Sequence, residues 1–93
     1  MQENNFKGYK ISFSSQAKKT LEKMDSTLAG RINRKIQDLV NGKPNVDVKK
    51  MVESGLRYRL RCGEYRIVFD VKREIITVLV IRIGHRSSIY QGL

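Results

Sequence analysis

Arginine, histidine and tyrosine recur in the second half of this 93-residue chain at spacings suited to phosphate chemistry. Arg57, Arg59 and Arg61 take alternate positions, Arg66 follows after a short break, and Arg82, His85, Arg86 and Tyr90 lie near the end. Guanidinium binds phosphate oxygens bidentately and stays charged at any working pH. Histidine changes charge near neutrality, and a tyrosine beside positive charge can exchange a proton. Such a set could bind a phosphodiester, hold extra negative charge on it and move a proton. Any single arginine could instead pair with Glu64, Asp70 or Glu74, or lay its stem along the surface. The set as a whole argues for an anion, because clustered guanidiniums repel one another without one.

Other chemistries find little support. A lone histidine without a cysteine or aspartate cluster is a poor metal site, so neither a metal nor a cofactor is expected. Asn41-Gly42-Lys43 lacks the glycine spacing of a phosphate-cradling P-loop. The single cysteine, Cys62, allows no disulfide within the chain and has no histidine near it in sequence, so it reads as structural. No paired carboxylates and no Ser/His/Asp arrangement are evident.

The elements that must position these groups follow from periodicity. Tyr9, Ile11 and Phe13 alternate and predict a first strand. Ser14 and Ser15 offer an N-cap. Ala17, Leu21 and Met24 then fall on one face of a helix that ends near Asp25. After the polar break Asp25-Ser26-Thr27, the residues Leu28, Ile32, Ile36, Leu39 and Val40 predict a longer helix stopping at Asn41-Gly42. So short a break makes a helical hairpin. Arg57–Arg61 alternates strictly, Cys62-Gly63-Glu64 reads as a turn, and Tyr65–Val71 as a strand. Lys72-Arg73-Glu74 is another turn, and Ile75–Ile83 a β-branched run expected to be buried on both sides and ended by Gly84. The expected fold is α+β, in the order β-α-α-β-β-β, with the helical hairpin on one face of a small antiparallel sheet and the first strand at its edge. Tyr58 and Leu60 should face the helices. Arg57, Arg59 and Arg61 should face the open side, with Arg66 near Arg82 and Arg86.

Composition points the same way. Lys plus Arg is 19 against 9 for Asp plus Glu, a net charge of +10, which makes a polyanion, above all nucleic acid, the expected partner. Lys18, Lys19, Lys23, Arg31, Arg34 and Lys35 on the helices, and Lys49 and Lys50 beyond them, extend the basic surface. The length predicts one domain spanning 1–93. The N-terminal stretch has no apolar core of the signal-peptide kind, and no apolar run reaches the ~18 residues of a membrane span. No membrane partner is therefore expected, and a cytoplasmic location is.

Two blocks carry a family resemblance. Tyr58-Arg59-Leu60-Arg61-Cys62-Gly63-Glu64-Tyr65-Arg66 and Gly84-His85-Arg86-Ser87-Ser88-Ile89-Tyr90 resemble, at the right separation, the paired motifs of RelE/ParE-superfamily toxins from type II toxin–antitoxin systems. The resemblance runs from about Tyr9 to Tyr90. In the RelE-like branch it implies a ribosome-dependent endoribonuclease that cuts mRNA in the ribosomal A site without a metal. It also implies an antitoxin partner that neutralises the toxin in a hetero-oligomer. Carried over by position, the implied catalytic groups are Arg59, Arg66, His85, Arg86 and Tyr90. Arg57 matches the other member of a basic pair and is grouped with Arg61, Arg82, Lys49, Lys50, Lys18, Lys19, Arg31 and Lys35 as RNA-binding. The basic pair is often lysine in the best-known branch. As arginines, Arg57 and Arg59 can stabilise charge but cannot act as a general base. His85 is then the natural acid, with Tyr90 as base or as the group that orients one. The reverse assignment and a base-stacking role for Tyr90 stay open. Two other functions compete: a ParE-like inhibitor of DNA gyrase, which generally lacks the His and Tyr set, and a nucleic-acid-binding module without catalysis.

Overall fold

The computed structural model describes residues 5–51 and 56–92; the outermost ends of the expected 1–93 domain lie outside them. Alternating β-formers make the first strand, β1 (Lys10–Phe13). Ser14 follows in extended geometry, and its hydroxyl accepts the Ala17 amide at 3.0 Å, which opens α1 (Ser15–Lys23). Asp25 caps α2 (Ser26–Val40) in the same manner, its carboxylate accepting the amides of Thr27 and Leu28. Ala17, Ile32, Ile36, Leu39 and Val40 form the buried stripe of this helical hairpin, as their spacing requires. Four more strands follow: β2 (Val48–Lys50), β3 (Arg57–Cys62), β4 (Tyr65–Lys72) and β5 (Thr77–His85).

The sheet has the order β1-β5-β4-β3-β2. The α+β class, the helical hairpin and the meander agree with the sequence reading, and three features correct it. First, β2 adds a strand to the expected order. At three residues, two of them lysines, it is too short for alternation to reveal. Second, the sheet is mixed, since β1 runs parallel to β5 while the other pairings are antiparallel. Alternation reports a strand's two faces but not its partner's direction.

Third, β5 is displaced along the chain and changes phase. Ile75 lies in a 3-10 turn, Ile76 adopts a left-handed φ of 49°, and both are exposed, because the reversal from β4 to β5 takes these residues out of the ladder. At the other end β5 continues through Gly84 to His85. Its two faces are also unequal: Val78, Val80 and Ile83 are buried, whereas Leu79 and Ile81 are only half-buried. In the register, Val68 pairs with Arg82 and Phe69 with Val80, so Ile81 is the extra residue of a β-bulge. Simple alternation from Val78 and Val80 would send Arg82 and Gly84 into the core. The bulge turns them to the open face and returns Ile83 to the core. Ser14 serves this irregularity as well as the helix: its hydroxyl donates to the Ile81 carbonyl at 2.8 Å, and its amide to the Val80 carbonyl at 2.8 Å.

The core lies between the sheet and the hairpin, and Phe6, from a polar stretch of sequence, completes it. Phe6 is 1% exposed and meets Tyr9, Tyr58 and Phe69 edge-on at 5.5, 5.2 and 5.6 Å. Tyr58 and Phe69, directly opposite in the ladder, stack at 5.6 Å. Among the described residues no helix is long and apolar enough to cross a membrane.

Two stability outcomes follow. Phe6→Ala removes a fully buried ring from an aromatic cluster and should cost about 3–5 kcal/mol in urea unfolding. An unchanged midpoint would show that the N-terminal segment is not part of the core. Ser14→Ala takes away the cap and leaves the Ile81 carbonyl without its hydroxyl donor, for a loss of about 1–2 kcal/mol. A loss near zero would mean the bulge does not depend on Ser14.

Candidate active site

The open face of the sheet is where the arginines gather. Tyr58, Leu60 and Cys62 turn inward and are buried, so Arg57, Arg59 and Arg61 share the other face. The register then sets two cross-strand rows. Lys49, Arg59, Val68 and Arg82 form one; Arg61, Arg66 and Gly84 form the next. Lys49 stands opposite Arg59 and Arg61 opposite Arg66, placements that are unfavourable for like charges unless something offsets them.

Several arginines are offset from within. Arg57 makes a two-pronged ion pair with Asp70, its direct cross-strand neighbour, through Nε at 2.8 Å and Nη2 at 3.2 Å, and the carboxylate raises its pKa further. Arg61 faces Asp47 at 3.8 Å. Arg82 donates to the Ile89 and Gln91 carbonyls at 3.4 and 2.6 Å, which ties down the C-terminal tail. By contrast, the Arg59 guanidinium makes no hydrogen bond or ion pair among the described residues.

The tail completes the site. Gly84 carries no side chain, and a Cβ there would lie 3.0 Å from Cδ1 of Ile89. Ile89 therefore seats against the strand and is buried on the open face, where Val68 is buried too. The amides of Ser88 and Ile89 both donate to the His85 carbonyl at 3.0 Å, curling the chain back so that Tyr90 borders the sheet. The result is an open cleft of about 720 Å³ lined by Lys49, Lys50, Arg59, Arg66, His85, Arg86 and Tyr90, with Met51 and Ser87.

Within the cleft each group has a distinct restraint. Arg66 donates through Nη1 to the Gly63 and Tyr65 carbonyls at 2.9 and 3.0 Å. The His85 ring packs edge-on to Tyr65 at 5.6 Å. The Ser87 amide donates to His85 Nδ1 at 3.1 Å, so a neutral ring in this geometry carries its proton on Nε2. The Ser87 hydroxyl, 2.8 Å from the same nitrogen, can accept from it when the ring is doubly protonated. Arg86 pairs through Nε with Glu64, and that hydrogen bond and charge hold the Glu64 carboxyl below the usual carboxylate range, with His85 and Arg66 adding to the effect. Tyr90 is 39% exposed.

All five residues with an expected catalytic role thus line one cleft, and Lys49 and Lys50 join them from β2. The other residues grouped as RNA-binding stand elsewhere. Arg57, Arg61 and Arg82 share the open face but do not line the cleft, so of the three β3 arginines only Arg59 borders it. Arg31 and Lys35, with Arg34, Asp38, Cys62 and Gly63, line a separate groove of about 260 Å³. Lys18 and Lys19 are exposed on α1. The sequence offered Glu64 only as one of three carboxylates that could pair with an arginine, without saying which, and assigned no role to Ser87, although both lie inside the quoted motif blocks. Among the described residues no three His, Cys, Asp or Glu side chains gather into a metal-binding group.

Comparison with known proteins agrees with this architecture. A family model described as the ParE toxin of the type II toxin–antitoxin system parDE matches residues 11–90. The mRNA interferase toxin RelE of Escherichia coli K12 is 28% identical over 86 residues, covering 88% of this chain and 90% of that protein. The RelB–RelE antitoxin–toxin complex from Methanococcus jannaschii holds a chain with a TM-score of 0.70 at 28% identity, covering 88% of this chain and 98% of that one. Isolated E. coli RelE has a TM-score of 0.72 at 25% identity, with 84% of each chain covered. The chain belongs to the RelE/ParE superfamily of toxins from type II toxin–antitoxin systems.

Proposed function

We propose that this single-domain toxin is a RelE-like, ribosome-dependent endoribonuclease that cuts mRNA in the A site without a metal and so stops translation. The observation that carries the reading is the cleft itself, where Arg59, Arg66, His85, Arg86 and Tyr90 converge from β3, β4, β5 and the tail. The identity to a protein named as an mRNA interferase supports it. A cognate antitoxin is the natural protein partner, since similar structures are toxin–antitoxin complexes and a charge of +10 suits an acidic one. The ribosome and its mRNA are the nucleic-acid partners. The cytoplasm, where translation takes place, is the location.

In the proposed reaction the RNA 2′-oxygen attacks the adjacent phosphorus as the bond from phosphorus to the 5′-oxygen breaks. A 2′,3′-cyclic phosphate and a 5′-hydroxyl result. One proton leaves the 2′-hydroxyl and one reaches the departing oxygen. Arg59, Arg66 and Arg86 hold the charge that builds on the phosphorane. His85, bordering the cleft with Nδ1 held by Ser87, supplies the proton from Nε2, and Tyr90 takes or steers the other. Lys49, Lys50, Arg57, Arg61, Arg82, Lys18, Lys19, Arg31 and Lys35 contribute to the field that draws in the ribosome and its RNA.

Two measurements test the reading, both by single-turnover cleavage on saturating programmed ribosomes, with gyrase supercoiling assayed alongside. Arg66→Ala and Arg86→Ala should each slow cleavage by about 10²–10³ while leaving ribosome affinity nearly unchanged, because catalysis needs charge at one phosphate whereas binding spreads it over many. Arg31→Ala with Lys35→Ala should do the reverse, weakening binding and sparing the saturated rate. An Arg86→Ala variant that cuts at the parent rate removes the active site from this cleft, and gyrase inhibition by the parent would replace the ribonuclease reading. His85→Ala should flatten one limb of the pH–rate profile without altering binding. A profile of unchanged shape would take His85 out of proton transfer.

A further inference from the structure

The turn between β3 and β4 grips Arg86 at two points. Cys62 and Tyr65 pair as the last rung of the hairpin, leaving Gly63 and Glu64 as its two-residue loop, with Gly63 at the φ of 60° that such a loop favours in glycine. The Glu64 carbonyl accepts the Arg86 amide at 2.8 Å, just past the final β4–β5 pair, Tyr65 with His85. The Glu64 carboxylate accepts from Nε of the same arginine. The first contact sets where the main chain of residue 86 runs, and the second sets how its side chain leaves that chain.

A hydrogen bond at Nε occupies one side of the guanidinium and leaves both Nη groups to bind an oxyanion. Neither Nη makes a hydrogen bond among the described residues, and Arg86 lines the cleft beside Arg66 and His85. The pair is well exposed, at 60% and 63% for the two side chains, so it contributes little to folding. A stabilising role does not account for a carboxylate that pairs with an arginine lining a basic cleft. Orientation does, since a long arginine side chain at this exposure would otherwise sample several rotamers.

We infer that Glu64 is a positioning residue that holds the Arg86 guanidinium with its two Nη groups turned toward the scissile phosphate. The inference rests on the endoribonuclease reading and adds a residue to it. Glu64 touches neither substrate nor reacting atoms. It acts through Arg86, and because its backbone carbonyl keeps the main-chain contact in any variant, substitution isolates the side-chain grip.

The test uses the full chain with Glu64→Ala and Glu64→Gln, cleaving mRNA on saturating programmed ribosomes in single turnover. Ribosome affinity, thermal midpoint and the 15N–1H signal of Arg86 Nε are measured alongside. Glu64→Ala should slow cleavage by about tenfold or more, less than the roughly 10²–10³ expected when a transition-state donor is lost altogether. Affinity and midpoint should barely move, and the Arg86 Nε signal should shift toward that of a free side chain. Glu64→Gln keeps an acceptor oxygen and should recover most of the rate. A Glu64→Ala rate at or above the parent's, an Arg86 Nε signal that ignores the substitution, or equal losses in both variants would overturn the positioning role while the ribonuclease reading stands. A parent protein that leaves mRNA whole overturns that reading, and the positioning role falls with it.

Discussion

The bulge at Ile81 is the constraint on which the open face of this molecule depends. One extra residue in β5 reverses the strand's phase, so that Val78, Val80 and Ile83 all reach the core while Arg82 and Gly84 face outward. Without it, a guanidinium would be driven between the sheet and the helices, where no charged residue is buried among the described residues to offset the cost. The bulge also leaves the Ile81 carbonyl in need of a donor, which the Ser14 hydroxyl supplies while the same oxygen caps α1. The entry of the helical hairpin and the exit of the last strand are thereby held at one point. Downstream, Gly84 is outward and bare, so Ile89 can seat against it and Arg82 can reach the tail carbonyls. Tyr90 borders the cleft through this chain of consequences.

The sheet manages its excess of positive charge unevenly. Arg57 is matched by Asp70 across the ladder, Arg61 has Asp47 nearby, and Arg82 spends its donors on backbone carbonyls. Each of these arrangements relieves repulsion locally and holds an element in register. Lys49 and Arg59 stand opposite each other on the open face, and Lys50 ends the same edge strand. Like charges placed directly opposite are destabilising. A surface selected only for solubility would intersperse the signs. Among the described residues these cations have no acidic partner, and the polyanion proposed above would offset them.

Much of this was legible in the sequence, for identifiable reasons. The helical hairpin announced itself because Leu28, Ile32, Ile36, Leu39 and Val40 repeat at the helix period, with capping residues at the right offsets. The inward and outward faces of β3 followed from strict alternation in Arg57–Cys62. Phe6 gave no such signal: one aromatic residue in a polar segment has no period, and its burial arises from rings contributed by Tyr9, Tyr58 and Phe69. Three-residue β2 was equally silent. The gathering of Arg59, Arg66, His85, Arg86 and Tyr90 was anticipated from motif resemblance, and the register supplies its physical basis by setting Arg61 beside Arg66 and Arg66 beside Gly84.

Local chemistry in the sequence determined which residues could be cationic, which faces could be buried, where helices start and stop, and which family the chain resembles. These properties depend on side chains a few positions apart. Tertiary structure alone decided which cations remain unmatched among the described residues. Arg57 and Arg59 are indistinguishable by type and by face, yet Asp70 lies across the ladder from one and Val68 from the other. It likewise decided that β1 runs parallel, that β5 shifts phase at Ile81, and that Glu64 takes hold of Arg86. The physical reason is common to all four. Each depends on the pairing of strands or turns far apart in the chain, and a period read along one segment carries no information about the neighbour that segment will meet.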